Sequence, residues 1–244
     1  MLRSFVKGAA RLLGMEVHRF HPATSHAAQL GVMLRKHRID VVFDIGANVG
    51  QFGQALRRHV GYAGRIVSFE PMKPAHEQLV SAASGDRLWQ VAPRCALGSQ
   101  EGTITINVAA NSVSSSVLPM LEAHAQAAAD SRYTATEQVP LRTLDALAPE
   151  YLRADSVLFM KVDTQGYESE VLAGAAQTLL RARGVQLELS LLPLYAGQRL
   201  MPELVDWMRD AGFELWALAP AFIDPNSGRL LQVDATFFRA GAAG

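Results

Sequence analysis

From Val41 onward the chain alternates short runs of β-branched and aromatic residues with stretches whose apolar positions recur every three or four residues. That alternation is the pattern of a parallel sheet covered by helices. VVFDI, RIVSFE and a run around WQVAPRCAL read as the first three strands, separated by QFGQALRRHV and PAHEQLVSAAS at helical spacing. TITINVA alternates as an added strand, and VPLRTLDAL starts extended and ends in a short turn or helix. VLFMKVD reads as the fourth core strand, ESEVLAGAAQTLLRAR as one helix after it, and VQLELSL as the fifth strand. MPELVDWMRDAG forms the last helix, stopped by Gly212, and ELWALAP with ATFFRA makes a terminal hairpin across the turn-rich DPNSG. The predicted fold is α/β: a mostly parallel, Rossmann-like seven-stranded sheet with helices on both faces, closed by an antiparallel hairpin. Residues 1–40 read as an N-terminal helical segment and 41–244 as a single domain. A serine cluster and an alanine-rich middle break the rhythm near 111–138, which predicts an insert over the carboxyl edge of the sheet, a candidate lid.

The start of the chain, MLRSFVKGAARLLG, sets Leu2, Phe5, Val6, Ala9, Leu12 and Leu13 on one helical face and Arg3, Lys7 and Arg11 on the other. Two readings stay open: a helix packed on its own domain, or one that meets a membrane surface or another subunit as a peripheral or homo-oligomeric contact. No apolar run approaches the ~20 residues that a spanning helix needs. At 244 residues one domain with a substantial core is the expectation. Lys plus Arg equals Asp plus Glu at 23 each, so no basic field draws nucleic acid, and nucleic acid is not an expected partner. The single cysteine, Cys95, forms no internal disulfide, which fits a cytoplasmic setting.

Candidate chemistry begins at FDIGANVGQFG, between the first strand and the first helix of the sheet. Gly46 and Gly50 let the backbone turn and a ligand approach, but the middle glycine of a dinucleotide fingerprint is missing. Asp44 at the strand end repels pyrophosphate and can attract, directly or through water, the ammonium of a methionine moiety. Asn48 and Gln51 add donors and acceptors. Glu70, closing SFEP at the end of the second strand, can accept from both ribose hydroxyls, a role shared by dinucleotide and S-adenosylmethionine sites. The spacing together with Asp44 favours S-adenosylmethionine over a nicotinamide. Cys95 and Ala96, at the end of the third strand, are small enough to lie against adenine.

These features, with CALG and above all KVDTQGYESEVLAGAAQTL at 161–179, resemble the FkbM-type methyltransferases over roughly Val41 to Arg239. Lys161, Asp163, Gly166, Glu168, Val171, Leu172, Gly174 and Ala175 match the family pattern, whereas Gln165 stands where an acidic residue is frequent. The resemblance implies the class I methyltransferase fold and O-methylation of sugars and natural products, with a small-molecule or glycolipid acceptor. Methyl transfer to a hydroxyl needs positioning and a group that takes the proton. Asp163, at the end of the fourth strand, is the candidate base, with Lys161 beside it and His124 in the insert as another base. Alternatively Asp163 and Glu188 hold magnesium, whose hard-oxygen preference suits carboxylates. Structural roles compete at each position: a helix cap for Asp163, an ion pair for Lys161, a first-turn charge for Glu168, a buried paired carboxylate for Glu188, and solvation for His124 and the serines at 112 and 114–116. Methylation of a protein or nucleic acid, and an inactive binding module of the same fold, are the alternative functions.

Overall fold

The structure, a computed structural model, describes residues 10–241. Helix α1 (His26–Lys36) is capped by Ser25, whose Oγ accepts from the Ala28 amide at 3.3 Å, and it buries Leu30, Met33 and Leu34. Strand β1 (Val41–Ile45) follows, then α2 (Gln51–Ala55) continued by a π turn over Leu56–Val60, β2 (Arg65–Phe69), α3 (Lys73–Ala83) and β3 (Trp89–Val91). Next come β4 (Ala96–Leu97), β5 (Gly102–Ala109), α4 (Glu122–Ala127), β6 (Tyr133–Arg142), α5 (Leu144–Tyr151) and β7 (Leu158–Val162). The chain ends with α6 (Glu168–Ala173), α7 (Ala176–Arg181), β8 (Ala182–Ser190), α8 (Met201–Asp210), β9 (Phe213–Ile223) and β10 (Leu230–Arg239).

The main sheet has the order β3-β2-β1-β7-β8-β10-β9, parallel except for β10, which runs antiparallel to both neighbours. This is the expected mostly parallel seven-stranded sheet closed by its terminal antiparallel hairpin. Strand order reverses beside β1, so the β1–α2 and β7–α6 loops open side by side at the carboxyl edge, where such sheets hold ligands. One sheet face is apolar along its whole length: Phe43, Ile45, Met160, Val162, Leu187 and Leu189 pack under α5 to α8. The opposite face changes character along the strands. Val42, Phe159 and Phe238 pack against α1 and the π turn. Two residues further along, Asp44, Lys161, Gln186 and Thr236 form one row across four strands, and Glu188 pairs with Asp234 beyond it. Half of this face is core and half is polar floor.

Four local expectations change. The run around WQVAPRCAL is two strands, because Pro93 has no N–H to continue the ladder, and β4 pairs with β6 instead. TITINVA, as β5, leaves the main sheet for a separate three-stranded one, β4-β6-β5, and the last part of the 111–138 insert is the start of β6. The single helix expected after β7 breaks at Gly174, where the Gly98 carbonyl comes so close that a Cβ would sit 1.9 Å from it. The amphipathic start lies outside the described residues up to position 9. Beyond it, Leu12 and Leu13 are 90% and 73% exposed, so this part of the predicted apolar face does not pack on the domain.

Candidate functional site

The two loops at the strand reversal touch. Gly46 has φ +75, and a Cβ on it would lie 1.8 Å from the Asp163 carbonyl oxygen, so only glycine lets the loops approach this closely. Gly50, at φ +88, is the N-cap of α2 and faces Leu79 and Trp89 rather than the cleft. Between the loops, the polar floor and the insert lies a cleft of about 600 Å3, a volume typical of small-molecule sites.

At one end, Asn48, Gln51, Glu70, Cys95 and Ala96 all line this cleft. Glu70 is buried at the end of β2. Its Oε2 accepts from the Asn48 amide and its Oε1 from the Met72 amide, each at 2.8 Å. Burial pushes its pKa up to about 7 against the pull of those two N–H groups. Asn48 is held at φ +47, and neither side-chain polar atom has a partner, so both are available to a ligand. The Cys95 thiol is pushed up to about 11 by burial and is un-ionised near neutrality. Of the two ways expected for Asp44 to act, direct contact or a bridging water, its burial does not favour direct contact. It is fully buried below the cleft, where it accepts from Ser68 Oγ at 3.4 Å and lies 3.7 Å from Lys161 Nζ. Its nearest cation is Lys161, which itself lines the cleft.

At the other end, Lys161 donates to Asp163 Oδ2 at 3.0 Å. Burial alone would lower the lysine pKa, but Asp163 and Asp44 outweigh it and the net shift is upward. Asp163 keeps about a quarter of its side chain exposed and reaches the cleft. It does not meet Glu188 as two carboxylates around a cation. Gln165 stands between them, donating from Nε2 to Asp163 Oδ1 at 2.7 Å and to Glu188 Oε2 at 2.9 Å. Gln232 Nε2 donates to the same Glu188 oxygen at 2.7 Å. Magnesium requires oxygen ligands, and what the two carboxylates face is N–H, so this donor set does not fit the ion. Among the described residues no group of three His, Cys, Asp or Glu side chains is arranged to hold a metal. Glu188 is raised well above the usual carboxylate range by burial and by the nearby Asp163 and Glu168 charges.

Glu168 serves structure. Buried at the start of α6, its Oε1 accepts from the Thr164 and Gly166 amides at 2.8 and 3.2 Å and from Thr164 Oγ at 3.2 Å. His124 is neither solvated nor a strong base. It is buried between Tyr195 and Phe222, 3.3 Å from Ser114 Oγ, and burial lowers it to about 4, which makes it a poor proton acceptor near neutrality. Ser114 and Ser116 are also buried, contrary to the expected solvation, and Ser116 Oγ donates to the Gln165 carbonyl at 2.7 Å. Tyr167 lines the cleft. Tyr195 is core with its hydroxyl donating to Gln165 Oε1 at 2.8 Å, and Trp216 packs on His37 and Phe238 away from the site.

Sequence reasoning missed Gln186, Gln232 and Asp234, which line the floor. The signal was present as polar residues at every second position of otherwise apolar strands, in VQLELS and LQVDATFF.

A model of the family described as the Methyltransferase FkbM domain matches residues 44–215. No curated protein matches the chain. Among solved structures, methyltransferase FkbM from Methylobacillus flagellatus KT is 13% identical with a TM-score of 0.47, covering 81% of this chain and 43% of that one. The chain thus spans less than half of that protein's length. Magnesium protoporphyrin IX methyltransferase from Synechocystis PCC 6803, with bound SAH, is 10% identical with a TM-score of 0.48, covering 91% and 84%. The 1,6-didemethyltoxoflavin-N1-methyltransferase from Burkholderia thailandensis, with bound 1,6-didemethyltoxoflavin and S-adenosylhomocysteine, is 14% identical at 0.44, covering 90% and 77%.

Proposed function

The chain belongs to the FkbM methyltransferase family, and from that membership we propose that it is an S-adenosylmethionine-dependent O-methyltransferase. Its acceptor, in this reading, is a sugar hydroxyl on a glycolipid, a polysaccharide or a glycosylated natural product. The observation that carries the acceptor class is the floor beyond Asp163. Gln186, 2% exposed, has an unpartnered Oε1, and the Asp234 carboxylate lies beside it. The amide nitrogens of Gln165 and Gln232 are already committed to Glu188. The free Gln186 oxygen and the Asp234 carboxylate accept hydrogen bonds, which suits a ligand rich in hydroxyl donors.

When bound, S-adenosylmethionine supplies a methyl group activated by its sulfonium sulfur. The unpartnered side chain of Asn48 and the carboxylate of Glu70 fit its polar ends, and Cys95 and Ala96 give a flat apolar wall for adenine. Asp163 takes the proton of the acceptor hydroxyl, while Lys161 fixes the Oδ2 side of that carboxylate. Ser112 to Val117 of the insert line the same cleft as Asp163, where they would shield the transfer from water.

A lipid-linked acceptor, reached by peripheral contact with a membrane, is supported by the exposure of Leu12, Leu13 and Phe20. A homo-oligomeric contact would cover the same residues. Among the described residues no helix is long and apolar enough to cross a membrane. The cytoplasmic setting we propose is supported by the single, unpaired Cys95.

The test pairs calorimetry with mass spectrometry. Adenosylhomocysteine binds and NAD does not; binding of NAD alone overturns the cofactor assignment. Glycans and glycolipids from cells lacking the protein are lighter by one CH2 than those from cells that have it. Labelling of protein or nucleic acid in place of any glycan extract overturns the acceptor class.

A further inference from the structure

We propose that the side-chain amide of Gln165 occupies the place a divalent cation would take between Asp163 and Glu188, making Gln165 the positioning residue for Asp163 in a metal-independent site. The inference rests on the reading of Asp163 as the base. A primary amide has two N–H bonds, and the two short contacts of Nε2, 2.7 Å to Asp163 and 2.9 Å to Glu188, use both. The carboxylates decide which way the amide faces: their oxygens accept, so nitrogen lies on their side, and Oε1 is left to accept from the Tyr195 hydroxyl at 2.8 Å.

The backbone makes the same point independently. Gln165 sits at φ +55, a left-handed conformation that a residue other than glycine adopts at some cost, and its carbonyl is held there by Ser116 Oγ at 2.7 Å. That conformation aims the side chain between two strand-end carboxylates rather than into solvent. With Lys161 on Oδ2 and Gln165 on Oδ1, both oxygens of Asp163 are held. Glu188 is likewise engaged, by Gln165 and Gln232. A magnesium ion needs several oxygen ligands at about 2.0–2.1 Å; the amide delivers two N–H groups where those oxygens would converge.

The experiment titrates the full-length protein with Mn2+, followed by calorimetry and by the electron paramagnetic resonance of the free ion, alongside adenosylhomocysteine titrations with and without chelator. The unaltered protein binds Mn2+ no tighter than about 1 mM, and its adenosylhomocysteine affinity is indifferent to chelator. Gln165→Glu, which puts a third carboxylate between the other two, binds Mn2+ at least about 10-fold more tightly while keeping its adenosylhomocysteine affinity. With a labelled acceptor extract, Gln165→Ala lowers kcat by about 10- to 100-fold with little change in KM for the cofactor, and Gln165→Asn restores none of it.

Micromolar Mn2+ binding by the unaltered protein, abolished in Asp163→Asn, overturns the proposal, because the amide would then be a ligand through its oxygen. A Gln165→Glu protein that retains adenosylhomocysteine binding but gains no Mn2+ affinity overturns it too. Should Gln165→Glu fail to fold, the titration of the unaltered protein still decides. Absence of adenosylhomocysteine binding in the unaltered protein strikes the methyltransferase reading instead, so the two failures are separable.

Discussion

Burial works against ionisation at Glu70, whose carboxyl group is pushed up to about 7 even though two backbone N–H groups favour the charge. Only the carboxylate accepts from both ribose hydroxyls, so affinity for adenosylhomocysteine rises as pH increases through about 7. Glu70→Gln removes that rise and weakens binding about 10- to 100-fold above it, as expected for losing a hydrogen bond to a charged group; calorimetry across pH checks both. Because the folded pKa is raised, the stabilisation from Glu70, and from Glu168 at about 7, is complete below the unfolded carboxylate range and is lost as pH rises through about 7. These two groups make the ligand-free protein easier to denature at pH 8 than at pH 5, opposed in part by His124, whose lowered value costs stability as pH falls, and opposite to the trend in cofactor affinity. Single residues were legible in the sequence where chain order alone places them: Glu70 and Asp163 lie at the ends of strands that any α/β reading finds. Gln186 and Asp234 were not, because their importance depends on which strands become neighbours and which half of a sheet face stays uncovered. Asp44 was placed at the right strand end, but burial depth, which sequence position does not encode, puts it below the cleft.

The elements show the same division between local and long-range causes. Strands β1, β2, β7 and β8 and the hairpin β9–β10 follow from apolar runs and turn residues, and so were readable. The break between α6 and α7 was not, since it comes from the Gly98 carbonyl, seventy-odd positions earlier, pressing on Gly174. The second sheet was hidden for a like reason: TITINVA alternates equally well whichever sheet it joins. Gly46 illustrates how much one contact between elements carries. In Gly46→Ala the new Cβ meets the Asp163 carbonyl 1.8 Å away at a φ of +75, so the β1–α2 loop must move off the β7–α6 loop. The expected cost is about 3 kcal/mol or more of stability, from combined strain and overlap. Chemical denaturation measures it, and cofactor affinity falls with it. Gly61→Ala, with a similar φ of +73 but nothing within 4 Å, loses only the conformational part and leaves cofactor affinity unchanged.

Across the whole molecule the cleft is lined by the main sheet with its terminal hairpin, by the three-stranded sheet and by the insert, so a ligand there adds contacts between the two sheets. Adenosylhomocysteine at 100 times its Kd should stabilise the fold by about 2.7 kcal/mol, seen as a rise in Tm, whereas NAD at the same concentration should not. With 23 cationic and 23 anionic side chains the molecule has no net charge, and cofactor affinity should change little with salt beyond local screening at the cleft. The hold of Ser116 on the Gln165 carbonyl carries a consequence at this scale. If the insert swings outward to admit an acceptor, it releases the residue that squares Asp163 to its task, and the return of the insert squares it again. Water reaching the site in that open state would meet a carboxylate steadied by Lys161 alone.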